Sequence, residues 1–121
     1  MLQRLHTSGE TTMTDHVIIT DEDNTRTITM RRPDKKNALT QGMYTSMAEA
    51  IKSAQSDPDV RSIVISGGSG VFTAGNDLED FARANTANSD DARPTAAGLF
   101  LKALAYNEKP LIGAVDGIAV G

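Results

Sequence analysis

Two short, unbroken apolar runs constrain this chain more than any other feature: SIVIS at 62–66 and LIGAV at 111–115, each opening into a glycine-containing segment. A strand covered on one face alternates apolar and polar residues, whereas a continuous run suits a strand buried on both faces, the usual state in parallel sheets. The two runs are too far apart for a hairpin and are separated by helical patterns. The spacing therefore predicts an α/β chain whose later strands are joined by long crossovers and lie parallel.

The segments around these runs fit that order. Two β-branched stretches, 17–20 and 25–30, flank the turn-rich DEDN and predict a hairpin. Pro33 and the polar DKKN end the second stretch. From Thr40, a plausible N-cap, apolar residues recur at Met43, Tyr44, Met47, Ala50, Ile51 and Ala54, the spacing of one helical face. SDPD closes this helix. Leu78, Phe81 and Ala82 suggest a short second helix, and NTANSDDARP reads as a polar loop. A third helix begins near Pro94, with Ala97, Phe100, Leu101 and Leu104 as its buried stripe. The opening residues 1–15 read as a polar tail within which Met13 is a possible start, leaving 16–121 as the structured part.

Composition narrows the chemistry. The chain has 121 residues, no cysteine and a net charge of −4. Disulfides, thiolate nucleophiles and Cys-ligated metals are excluded, which fits a cytoplasmic protein. An acidic balance argues against nucleic acid as the main partner. No run of ~18 apolar residues is present to span a membrane. Five basic residues nevertheless fall close together, at Arg26, Arg31, Arg32, Lys35 and Lys36, a local patch suited to an anionic ligand or simply to a solvated loop.

The loop 66–78 departs from the familiar glycine templates. The dinucleotide pattern started at Gly68 and Gly70 fails at Thr73, the Gly-Lys-Ser/Thr of a phosphate loop is absent, and the nucleophile-elbow pattern around Ser69 fails at Val71. Two histidines, His6 and His16, are too few for a triad or a zinc site within this chain. The acids Asp77, Glu79 and Asp80 form either a carboxylate pair or, more simply, a first helical turn that complements the helix dipole. What remains is a loop of small residues between a strand and a helix. There the Ala74 N–H, turned outward, would be a fixed donor to developing negative charge. A second donor would come from the turn DGIAVG after the other apolar run.

RPDKKNALT, SGGSGVFTAGNDLEDF and EKPLIGAVDGIAVG, in that order and at these spacings, resemble the N-terminal half of the enoyl-CoA hydratase/isomerase (crotonase) superfamily over residues 16–121. AGNDL is similar to the Δ3,Δ2-enoyl-CoA isomerase branch. The resemblance implies a spiral of strand-strand-helix repeats that stops after about half a domain, and a trimer or hexamer for the whole protein. It also implies an acyl-CoA thioester as substrate, in fatty acid metabolism, with coenzyme A as part of that substrate and no separate cofactor. By that resemblance Lys36, Asn37, Ala38 and Leu39 line the adenine and pantetheine path. Ala74, Gly75, Asn76, Asp77 and Leu78 lie beside the thioester, with the Ala74 N–H as one oxyanion donor. Val120 and Gly121 belong to the turn that brings the second donor, one position beyond Gly121; the catalytic carboxylates lie further on. Two alternatives stay open: a catalytically incompetent fragment that at most binds CoA weakly or does not fold alone, and another superfamily chemistry such as thioester hydrolysis or decarboxylation.

Overall fold

The computed structural model describes residues 10–68, 70–87 and 95–120. Chain direction reverses twice at its start, both times through two consecutive residues with positive φ, the backbone of a type I′ turn whose twist matches that of the strands it joins. Asp23 and Asn24 (φ 54° and 63°) join β2 (Val17–Glu22) to β3 (Thr25–Met30), as DEDN predicts. Asp15 and His16 (φ 49° and 64°) do the same between β1 (Glu10–Thr14) and β2. Glu10–Thr14 is thus an edge strand, not tail. The sequence hides it because Asp-His lacks the Asn or Gly that usually marks such a turn, and all five of its residues are exposed.

Beyond β3 the strands are parallel. β4 (Ser62–Ser66) lies beside β3 with Ile28 opposite Ile65, and β6 (Leu111–Ala114) lies beside β4 with Ile63 opposite Leu111. The sheet order is β1-β2-β3-β4-β6. A second, two-stranded parallel sheet pairs β5 (Val71–Thr73) with β7 (Ile118–Ala119), short strands that the sequence reading takes as loop and turn. Both begin just after the main-sheet strands β4 and β6, so the chain leaves one sheet for the other twice at equivalent places.

Helix α1 (Gln41–Gln55) starts where Thr40, in an extended conformation, accepts the Met43 N–H on its side-chain oxygen at 3.1 Å. Met43, Met47, Ala50, Ile51 and Ala54 are buried against Val17, Ile28, Met30, Ile63 and Ile65. Full burial of each larger side chain stabilises by about 1.5–3 kcal/mol. The last turn of α1 is held by Lys109, whose ammonium donates to the carbonyls of Ala54, Asp57 and Val60 at 2.5, 2.8 and 2.5 Å. Helix α2 spans Leu78–Ala87. Helix α3 (Ala96–Tyr106) is capped by Thr95 and packs on α1. Pro94, the residue read as its start, lies outside the described residues.

Two burial expectations are corrected. α3 packs Phe100, Ala103 and Leu104 against the core, but Leu101 is 64% exposed, so the inward stripe is narrower than its apolar content suggests. The two apolar strands are not covered on both faces. Ile63 and Ile65 are buried under α1 while Val64 is only half-buried, and Ile112 on β6 is 58% exposed. The helices packed on this sheet lie on the face that carries Ile63 and Ile65; on the opposite face of the described chain Thr27, Val64 and Ile112 stand in one register row.

Candidate active site

Segments 36–39 and 74–77 meet edge to edge although more than thirty residues separate them. The Leu39 N–H donates to the Gly75 carbonyl at 2.8 Å and the Asp77 N–H donates to the Leu39 carbonyl at 2.9 Å. Together these make a parallel bridge between Leu39 and Asn76. On the other side the Val120 N–H donates to the Thr73 carbonyl at 2.9 Å. A Cβ placed on Gly75, whose φ is +97°, would stand 3.5 Å from the Val120 carbonyl oxygen. Lys36, Asn37, Ala38, Leu39, Ala74, Gly75, Asn76, Asp77 and Val120 are therefore brought together in the structure. Leu78 follows at the start of α2 and is 79% exposed. Gly121 lies outside the described residues.

The amide assigned as oxyanion donor is not the one the structure leaves available. The Ala74 N–H donates to the Lys36 carbonyl at 3.0 Å, so it is turned inward and occupied. Gly75 N–H donates to Thr73 Oγ1 at 3.1 Å, and Asp77 N–H is engaged by Leu39. Asn76 alone among residues 74–77 has an N–H with no acceptor among the described residues. The reason lies in how a parallel bridge is made: residue 76 pairs through the groups of its two neighbours, which leaves its own N–H and C=O directed away from Leu39. A small-residue loop shows in the sequence, but which of its amides faces out depends on pairing with segment 36–39.

Asn37 is corrected in role as well. Its side chain is buried and fully used within the protein. Nδ2 donates to the carbonyls of Gly67 (3.0 Å), Phe72 (3.1 Å) and Val71 (3.3 Å), and Oδ1 accepts the Arg32 N–H at 2.7 Å. With φ 57° it occupies the left-handed region that asparagine tolerates better than most residues. It shapes the loop after β4 rather than lining a ligand path. Thr73, which the sequence reading did not single out, ties the same parts together: its hydroxyl donates to the Asn37 carbonyl at 2.7 Å and accepts from Gly75.

The acidic cluster proves to be a brace. Asp77 accepts from Arg32 Nη1 at 2.8 Å and from the Asp80 N–H at 3.0 Å. These two donors, the Asp80 amide first, hold its carboxyl below the usual carboxylate range. Asp80 accepts the Gln41 N–H at 2.7 Å, linking the first turns of α1 and α2. Both carboxylates thus have structural partners, which favours the helix-end reading over an acid/base pair.

The basic patch also divides. Arg26 is buried, with Nε and Nη2 on Asp21 at 2.8 and 2.7 Å and Nη1 on the Ala50 carbonyl at 2.9 Å. The hydrogen bond it donates to Asp21, only partly offset by burial, raises the Arg26 guanidinium above the ordinary value. Arg32 is held by Asp77 and the Ala38 carbonyl. Arg31, Lys35 and Lys36 are exposed. Only these three remain for an anionic ligand.

On this mixed α/β fold a small-residue loop with one outward amide lies between a basic loop and a second glycine turn, and comparison with known proteins gives the family that such a chain belongs to. Residues 20–121 match the enoyl-CoA hydratase/isomerase family model, and the chain belongs to that family. It is 34% identical over 109 residues to a protein of Mycobacterium tuberculosis named as a probable enoyl-CoA hydratase, covering 88% of this chain and 41% of that one. It is 36% identical over 107 residues to enoyl-CoA delta isomerase 2 of Rattus norvegicus, covering 87% of this chain and 27% of the relative. Among solved structures, OdaA of Pseudomonas aeruginosa superposes with a TM-score of 0.79 at 42% identity, over 88% of this chain and 42% of that one. The fold is the mixed α/β architecture of the crotonases, and the chain spans less than half the length of these relatives. No helix among the described residues is long and apolar enough to cross a membrane.

Proposed function

We propose that this chain supplies the front wall of an acyl-CoA thioester site in which the Asn76 N–H polarises the thioester carbonyl and stabilises the enolate formed from it. The observation that carries the reading is the loop Ala74–Asp77, where three of four amides are engaged by the protein and the fourth has no acceptor among the described residues and is directed away from its pairing partner. A fixed donor needs no reorganisation as charge develops, which is why such groups favour the transition state over the ground state. Leu39 pairs with Asn76 and Val120 lies against Gly75, and the exposed Arg31, Lys35 and Lys36 offer charge for the phosphates of coenzyme A. A second donor one position beyond Gly121 would complete the oxyanion hole, and carboxylates elsewhere in the whole protein would move the proton, giving hydration or double-bond isomerisation.

Replacing the backbone amide of Asn76 by an ester, through semisynthesis of the full-length protein, removes the donor while retaining the side chain. Turnover of an enoyl-CoA is expected to fall by about 10²–10³-fold. The same replacement at Ala74 is expected to lower stability, since there the N–H holds segment 36–39. Unchanged turnover in the Asn76 ester would reject the assignment.

A further inference from the structure

Tyr44 touches Asn76, whose main-chain N–H has no acceptor among the described residues. Its hydroxyl donates to Asn76 Oδ1 at 2.5 Å. Its ring rests on Phe100 of α3, with centroids 5.6 Å apart and planes inclined at 49°. Burial raises the phenol above its ordinary value, so the hydroxyl keeps its proton and stays a donor at neutral pH. The turn of α1 that carries Tyr44 is itself fixed, by Thr40 on the Met43 N–H and by Asp80 on the Gln41 N–H.

An asparagine just ahead of a helix start has an alternative use for its side-chain carbonyl: it folds back to accept a nearby main-chain N–H, most often two residues on. At position 76 that would pull the carboxamide into the first turn of α2, which Asp77 already caps, and off the position it takes on Tyr44. We infer that Tyr44 is a positioning residue. By engaging Asn76 Oδ1 it keeps this competing acceptor away from the loop amides, the outward N–H among them, while the bond from the Leu39 N–H to the Gly75 carbonyl holds the peptide plane of the donor. The inference rests on the reading of Asn76 given above. Tyr44 acts through Asn76 and does not itself contact substrate.

The test uses the full-length protein with crotonyl-CoA for hydration and a trans-3-enoyl-CoA for isomerisation. Tyr44→Phe keeps the ring against Phe100 and removes only the hydroxyl. Its kcat is expected to fall about tenfold, less than loss of the donor itself, with KM within about twofold. Asn76→Ala retains the main-chain N–H, and adding Tyr44→Phe to it is expected to cause no further fall, because the carboxamide through which Tyr44 acts is gone. In ¹⁵N spectra Tyr44→Phe should move the Asn76 main-chain and side-chain resonances and leave those of Met47 and Ile51 in place. An unchanged kcat, a fall that persists in the Asn76→Ala background, or unmoved Asn76 resonances would each overturn the inference. If the wild-type protein turns over neither thioester, it is the functional reading that fails, and the spectra then decide the positioning role by themselves.

Discussion

The Arg32 guanidinium and the Asp77 carboxylate meet at 2.8 Å, their side chains 15% and 14% exposed, and join the loop after β3 to the first turn of α2. Because Arg32 Nη1 also donates to the Ala38 carbonyl at 2.9 Å, the same contact holds both borders of the candidate site. Arg32→Gln should loosen the two segments together, lowering the urea midpoint and raising amide exchange at Leu39 and Asp77. Exchange rising at only one of these would show that the contact does not couple them.

The Asp77 carboxyl gives a pH dependence with a defined sign. Its folded value lies below the ordinary ~3.9 at which an unfolded chain takes up the proton. Its contribution to stability is therefore complete above about pH 5 and is lost as pH falls through the depressed folded value. Asp77→Asn should lower the denaturation midpoint at pH 7 and flatten the decline between pH 5 and 3. A wild-type acid limb retained in the variant would assign that limb to other groups.

Asn37→Ala should destabilise strongly, because the Gly67 and Phe72 carbonyls and the Arg32 N–H all lose a partner in a buried place. Each orphaned buried group costs about 1–3 kcal/mol. Asn37→Asp should be at least as harmful, since it turns a carboxylate oxygen toward carbonyl oxygens. Chemical denaturation of both variants checks the order, and Asn37→Asp more stable than Asn37→Ala would contradict it.

Two glycines separate sterics from backbone preference. A Cβ on Gly117, at φ +90°, would sit 1.9 Å from the Gly70 carbonyl oxygen, whereas one on Gly75 meets nothing closer than 3.5 Å. Gly117→Ala should pull β7 off β5 and abolish the Ile118 to Gly70 bond. Gly75→Ala should cost only the strain of an unusual backbone, about 1–3 kcal/mol. Thermal melts with exchange at Ile118 and Val120 distinguish the two effects.

Lys109→Met should fray the end of α1, where one ammonium serves three carbonyls. Lys109→Arg should restore little, because a planar fork cannot point donors at three oxygens as a compact ammonium does. Faster exchange confined to the last turn of α1, the same in both variants, is the expected signature.

Local and periodic features were legible from the residues. The hairpin at Asp23-Asn24, α1 with its Thr40 cap and buried Met43-Met47-Ile51 face, and the parallel strands β4 and β6 follow from propensity, turn chemistry and spacing over a few neighbours. So does the presence of a small-residue loop beside a buried strand, and the family motifs single out segments 36–39 and 74–77, which the structure joins through the Leu39–Asn76 bridge. These are short-range properties, and an amino-acid string carries them directly. The free amide at Asn76 rather than Ala74, the inward use of Asn37 and Arg32, and the contact of Tyr44 with the loop depend on which distant carbonyl reaches which N–H. Hydrogen bonds between segments are set by strand register across more than thirty residues, and a shift of one position exchanges the inward and outward amides. Only packing α1 and the loop after β3 against the 74–77 segment fixes that register.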